Sequence, residues 1–467
     1  MDGWVRQELE KTQLGDVRRT NRFMKIVSNL SDKPTSSVPQ ASGTWAETKA
    51  TYDFWDSPYI KPAQLRKGHV DATVERIKNH QIILAIQDTT ELNYTTHKAV
   101  KGVGYLDSKY AHGLKVHSTL AATTEGLPLG IIDQYVWARE PKYLGKADLR
   151  SQKSTEEKES QRWLDALKNT LSIIPDSQQV VTIADGVPPR KLREADFYDL
   201  FACANREGAD FLIRATQNRC LESSSNHLKE EVELVEPQVT MTVELKRNPT
   251  RSSRRATLTI RYKTLTIQPP QNRPKQEKLS PIKLQVILVR ESEPPSESEA
   301  IEWWLVTNLP ITCIEDVTTY VRWYGYRWLI ERYHYVLKSG CGIEKLQLET
   351  AKRLEMALAT YSIVAWRLLY ITHIARLADD VSCEIMLEPP EWQALYATIH
   401  HKSYPHSYPP TLGEAVGWIA KLGGFLGRKH DGFPGVKTLW RGLRRLDDIM
   451  IGWLLFNQLK TIENWYF

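Results

Sequence analysis

The sequence predicts an α/β protein, a sheet-centred core set between helical segments. Three observations carry this. Residues 82–87 and 180–184 are short apolar runs, each followed by an acid, Asp88 and Asp185, and they read as buried strands of one sheet. Between them, residues 114–123 and 130–136 are strand-like and residues 156–171 have helical periodicity. Helical patterns also fill the first 65 residues and much of the chain after residue 314.

In chain order, residues 4–14 and 18–30 read as helices with a turn at Gly15-Asp16. Residues 44–55 form a third helix, broken at Ser57-Pro58. Arg18, Arg19, Arg22 and Lys25 give this all-helical module a basic face suited to backbone phosphates. The three strands that follow, then a helix, then a further strand, suit a ribonuclease-H-like sheet, with Asp88 and Asp185 at strand tips along one rim. Residues 211–309 turn β-rich, with strands expected at 211–214, 238–245, 256–265, 282–290 and 303–307. A second basic cluster, Arg247, Arg251, Arg254 and Arg255, lies in this stretch. Residues 314–374 are helical and end in an apolar helix at 356–374; Pro-rich loops and amphipathic helices occupy the remainder.

The chain has 467 residues, 41% hydrophobic and 25% charged, as expected of a globular protein of more than one domain. Its net charge is +6 and its pI about 8.8, a mildly basic balance that fits a nucleic-acid partner. Five scattered cysteines without a C-x-x-C pair argue against structural zinc or a disulfide framework and suit a reducing cytoplasm. No signal-peptide pattern opens the sequence, and no apolar run approaches the ~20 residues of a membrane span. Of the fifteen Trp, Trp323, Trp328, Trp366 and Trp440 are expected in the core.

The most informative segment is residues 323–340. Tyr324, Arg327, Glu331 and Lys338 stand at offsets of three, seven and fourteen. At ~3.6 residues per turn they share one face of a single helix. That face carries a carboxylate beside a phenol, a guanidinium and an ammonium, donors that grip phosphate. With Asp88 and Asp185, Glu331 completes a set of hard oxygen ligands that suits Mg²⁺ or Mn²⁺ rather than zinc.

These residues resemble the signature of DDE transposases of bacterial insertion sequences, in the insertion-sequence-four family and its hairpin-forming cut-and-paste branch. The Y-x2-R-x3-E-x6-K pattern stands as Tyr324, Arg327, Glu331 and Lys338, and the first acid as Asp88 in Gln-Asp-Thr-Thr. The resemblance implies phosphate contacts at Arg18, Arg19 and Arg22, and an Arg near the site at Arg214. It also implies a base-stacking Trp at Trp303, an acidic site-lining position at Glu349 and dimerisation helices around Leu422–Phe425. One departure stands out. The family's second acid opens a contiguous Asp-Arg-Glu-Ala-Asp motif, whereas here Leu192 precedes Arg193-Glu-Ala-Asp196. A seven-residue insertion, 186–192, after Asp185 accounts for this. Asp185 is therefore the expected second ligand and Asp196, inside a helix starting near Arg193, the runner-up. Deleting residues 186–192 is then expected to raise activity.

The resemblance divides the chain into a helical DNA-binding domain at 1–65, a ribonuclease-H-like catalytic domain at 66–375 with a β-rich insertion at about 215–310, and a helical dimerisation domain at 376–467. In the family the insertion forms a β platform over the site. The implied activity is cut-and-paste transposition through a hairpin intermediate, with Asp88, Asp185 and Glu331 holding two Mg²⁺ that Mn²⁺ can replace. The implied partners are double-stranded DNA, as inverted-repeat ends and target, and a second copy of the chain; the implied place is the bacterial cytoplasm, on the nucleoid. Two other readings stay open: an impaired DNA-binding relic or inhibitor, and a metal-dependent nuclease or phosphatase without strand transfer.

Overall fold

The computed structural model describes residues 3–108, 110–140, 159–186, 195–245, 254–271, 279–295, 300–402, 408–428 and 431–463. The expected insertion at 186–192 therefore lies, but for Gly186, outside the described residues, as do Arg193, Arg247 and Arg251.

Five helices come first: α1 (Gly3–Leu9), α2 (Val17–Asp32), α3 (Val38–Ser42), α4 (Trp45–Trp55) and α5 (Pro62–Ile77). Asp16 caps α2 by accepting from the Arg18 amide, and Thr44 caps α4 through the Glu47 amide. The first helix stops at Leu9 rather than residue 14, and α5 runs through residue 65. A buried polar knot ties α1 to the core. Glu8 accepts from His69 Nδ1 at 2.5 Å and from Arg76 at 2.8 Å, while Arg76 also donates to the Leu129 carbonyl and stacks on Trp366. Burial pushes the Glu8 carboxyl up, but His69 and Arg76 outweigh it and bring it down to about 2.

A ten-stranded mixed sheet forms the centre. Its strands are β1 (Ile82–Asn93), β2 (Gly104–Tyr105), β3 (His112–Ala122), β4 (Pro128–Trp137), β5 (Gln179–Asp185), β6 (Asp210–Arg214), β7 (Val239–Leu245), β8 (Arg254–Ile267), β9 (Ile282–Glu291) and β10 (Glu302–Thr307). β3 pairs antiparallel with β1 and β4, β5 joins β1 in parallel, and β6 joins β5 in parallel. Helices α6 (Gln161–Ile173) and α7 (Tyr198–Glu207) precede β5 and β6. The β-rich stretch then returns through β10, antiparallel to β6, and β9, β8 and β7 follow outward. These strands of the expected β-rich insertion continue the central sheet outward from β6. The reason is that β10 satisfies the free backbone edge of β6. In this stretch Arg254 pairs with Glu291 and Arg255 with Glu244, so two of the four arginines of the second basic cluster are already matched to acids.

After α8 (Leu228–Glu233) the further α-helices of the described residues are α9 (Ile314–Gly325), α10 (Trp328–Tyr335), α11 (Ala351–Leu377), α12 (Pro389–His400), α13 (Leu412–Leu422) and α14 (Val436–Glu463). Contrary to the sequence expectation, α11 is long and apolar enough to cross a membrane by length and composition. Its most apolar stretch is 89% buried inside the protein, as a core helix is. The end of α11 shares an apolar cluster with α12, α13 and α14 through Ile371, Trp392, Val416 and Leu439. The five cysteines are free.

Candidate active site

Asp88 does not sit at a strand tip. β1 runs on to Asn93, because β3 keeps pairing with it as far as Gly113. The parallel ladder to β5, however, ends at Ile86–Ile183. Beyond that point the sheet opens between β1 and β5, and the same register sets Asp88 level with Asp185. Asp185 does end its strand, as expected, and pairs in register with Arg214 at the end of β6. Its position is held on both sides. The Gly186 amide donates to the Arg214 carbonyl at 3.0 Å, and the Ala195 amide donates to the Asp185 carbonyl at 3.3 Å. A Cβ on Gly186 would come within 2.6 Å of both the Arg214 carbonyl oxygen and Asp196 Cβ, so only glycine fits there.

Asp196 is a structural group. It precedes α7, which starts at Tyr198 rather than near Arg193, and it is fully buried. Its carboxylate accepts from the Thr216 and Gln217 amides at 2.7 and 2.8 Å and forms an ion pair with Arg219. These contacts fasten the loop after β6. Asp196→Ala would leave Arg219 buried and unpaired. We expect a loss of ~3–5 kcal/mol in chemical denaturation; an unchanged unfolding midpoint would refute this role.

The signature segment is not one helix. It breaks at Tyr326-Arg327, where three-residue bonds such as Arg327 N to Tyr324 O replace the α pattern. Tyr326 is drawn out of the helical path to pack on Gly126, a left-handed turn residue (φ 86°) whose Cβ would lie 2.6 Å from the ring. At the other end Val336–Gly340 is a π turn, with Cys341 N donating to Val336 O. Gly340 in this turn lies against Trp440 of α14, with room for no side chain. Lys338 sits half-buried in the π turn and has no ion-pair partner among the described residues. Trp328, expected in the core, is 57% exposed because the break turns it outward; Trp323, Trp366 and Trp440 are buried.

The break places Arg327 between two acids. Its Nε is 3.3 Å from Asp185 Oδ2 and its Nη1 donates to Glu331 at 2.5 Å. Tyr324 is buried against Arg327 and meets the half-buried Trp303 ring edge-to-face at 5.1 Å. Desolvation raises the Asp185 carboxyl, opposed by Arg327 and Arg214 and reinforced by the Asp88 charge. Burial likewise pushes the Tyr324 phenol up to about 12, so it remains a donor at neutral pH. The structure thus gathers Asp88, Asp185, Arg214, Trp303, Tyr324, Arg327 and Glu331 at one opening of the sheet. Sequence reasoning missed His334, whose Nδ1 is 3.4 Å from Asp88 Oδ2. Its spacing of three from Glu331 was the available signal.

The other predicted residues lie elsewhere or are engaged. Glu349 pairs with Arg353, which also binds Asp56. Arg22 pairs with Glu47, Arg19 lies over Tyr59, and the Arg18 side chain is 90% exposed beside Asp16.

Residues 1–60 match the family described as Transposase DNA-binding, 174–367 match Transposase DDE domain, and 363–454 match Transposase Tn5 dimerisation domain. The chain has the three domains of a Tn5-type DDE transposase. The DDE match spans Asp185, Arg214, Trp303 and the whole signature segment, whereas Asp88 lies before its first residue. The dimerisation match covers α12, α13 and part of α14.

A DDE domain implies divalent-metal chemistry, and the residues fit one. Asp185 Oδ1 is buried with no hydrogen-bond partner among the described residues, and the Asp88 carboxylate acts on it, a hard oxygen pair of the kind that suits such an ion. Among the described residues no three His, Cys, Asp or Glu side chains yet form a ligand set. The Arg327 guanidinium stands between two of the three acids, Asp185 and Glu331.

Proposed function

We propose that this transposase carries out cut-and-paste transposition of an insertion sequence, cutting DNA at the element's inverted-repeat ends and joining them to target DNA through a hairpin. The observation that carries the reading is the meeting of Asp88 and Asp185 at one gap in the sheet, with Arg327 bridging to Glu331. Asp88, Asp185 and Glu331 would hold the Mg²⁺, two ions with Mn²⁺ as a substitute. When bound, the metal offsets charge on the phosphoryl oxygens and activates water.

The chain's own groups do the rest. Arg327, freed from Glu331, turns its donors to the scissile phosphate, and Arg214 and Lys338 add positive charge where the transition state gains negative charge. The Tyr324 phenol donates a hydrogen bond. Trp303 offers a ring face to a base displaced by the hairpin bend, worth roughly 1–3 kcal/mol. The strand order β4-β3-β1-β5-β6 supports a ribonuclease-H-like core at 66–375, interrupted by β7–β10, with DNA-binding helices at 1–65 and dimerisation helices at 376–467. Two protomers in a synaptic dimer hold two ends, on the bacterial nucleoid. Glu349 is proposed to meet DNA beside the site.

Arg18 and Lys25 expose their charges, whereas Arg22 is already paired with Glu47. Arg18→Ala should therefore weaken end binding and flatten the slope of log K against log salt by about 0.9. Arg22→Ala should change the slope less. Equal slopes in both variants, measured by fluorescence anisotropy, would contradict this.

Arg327 standing between Asp185 and Glu331 also favours a second reading, an impaired relic or inhibitor that binds ends without cutting. Incubation with Mg²⁺ and duplexes carrying the terminal repeats separates the two. Hairpins and joined products support transposition; a gel shift without cleavage supports the relic; cleavage of arbitrary DNA without joining points to a plain nuclease.

A further inference from the structure

We propose that His334 is a positioning residue of the cation site, holding the Asp88 carboxylate through Nδ1. The inference rests on the reading of Asp88 as a cation ligand and deepens it. His334 stands three residues after Glu331 on α10, so the two side chains leave the helix on the same side. His334 is 5% exposed, and its Nδ1 lies 3.4 Å from Asp88 Oδ2. Nε2 is buried and has no hydrogen-bond partner among the described residues.

Two other buried histidines show what a purely structural imidazole does here. His69 contacts Glu8 through Nδ1 and accepts from the Ile131 amide at Nε2. His117 contacts Thr89 and Gln87, one with each nitrogen. Both rings are satisfied on both sides, as buried polar groups generally are. His334 instead faces a carboxylate of the site with one nitrogen and leaves the other without a partner among the described residues. That is an orienting contact, not a packing one. A donor at Nδ1 fixes the rotation of the Asp88 carboxylate and directs its other oxygen toward Asp185. The 3.4 Å separation is long for a hydrogen bond, as such contacts are before the site is loaded, and a small carboxylate rotation closes it.

The test is titration of Mn²⁺ into the full chain, followed by electron paramagnetic resonance of free Mn²⁺, with Asp88→Ala as the control. Asparagine places its amide nitrogen near Nδ1, and glutamine near Nε2. His334→Ala should weaken Mn²⁺ binding ~10–100-fold, His334→Asn should stay within ~3-fold of the native chain, and His334→Gln should behave like Ala. Should the Ala variant fail to fold in thermal melts, the Asn and Gln pair decides alone. Unchanged affinity in both the Ala and the Gln variants, or rescue by Gln and not Asn, overturns the proposal if Asp88→Ala still abolishes binding. If Asp88→Ala leaves Mn²⁺ binding unaltered, the reading of Asp88 as a ligand fails first, and the role of His334 falls with it.

Discussion

Asp88→Ala is expected to abolish DNA cleavage while end binding and folding persist. Asp88 stands where the β1–β5 ladder ends, beside Asp185, and His334 Nδ1 lies 3.4 Å from its carboxylate. Among the described residues it makes no ion pair with Lys or Arg, so little stability should be lost with it. The basic surface of α2 belongs to a separate helical segment and would still meet DNA. Charge stabilisation by a metal supplies several kcal/mol, and each ~1.4 kcal/mol is tenfold in rate, so the loss should exceed ~10³-fold. Cleavage of a terminal-repeat duplex and a gel shift on the same preparation check this. Loss of both, or retention of cleavage, would contradict the role given to Asp88.

Arg327→Ala should lower stability sharply, and divalent metal should recover part of the loss. Arg327 is 7% exposed and touches both Asp185 and Glu331. Removing it leaves the buried Asp185 carboxylate facing Asp88 with less opposing charge. Breaking a buried pair costs ~3–5 kcal/mol, a melting shift on the order of 6–20 °C for a domain of this size. Because a cation would replace the missing positive charge, Mn²⁺ should raise the melting temperature of the variant more than that of the native chain. An unshifted melting temperature without metal, or an equal response to Mn²⁺, would show that Arg327 does not hold the acids.

Much of this was legible in the chain. Strands β1 and β5 are apolar because both faces of the sheet are covered, and that makes them continuous hydrophobic runs. Asp185 ends its strand where the apolar run ends. What was not legible depends on distant partners. β1 extends past Asp88 only because β3, the next long strand, supplies ladder partners from Gly113 to His117. The signature helix ends at Gly325, a local breaker within the signature segment, and Tyr326 packs on Gly126, two hundred residues earlier, a contact no local pattern announces. The same break exposes Trp328 and inserts Arg327 between Asp185 and Glu331. Arg254 and Arg255 read as a phosphate-binding cluster until cross-strand acids claim them. Asp196 looked like a possible ligand because sequence shows an acid's position, not the donors that occupy it.

The central claim is that the carboxylates of residues 88, 185 and 331 share divalent metal once Arg327 gives way. A crystal structure of the chain on a terminal-repeat duplex, soaked in Mn²⁺ and recorded for anomalous scattering, tests it most directly. The account predicts Mn²⁺ peaks contacting Asp88 and Asp185, with Glu331 swung off Arg327 to join them. Peaks elsewhere, or Glu331 still clasped by Arg327 on metal-loaded DNA, would contradict it.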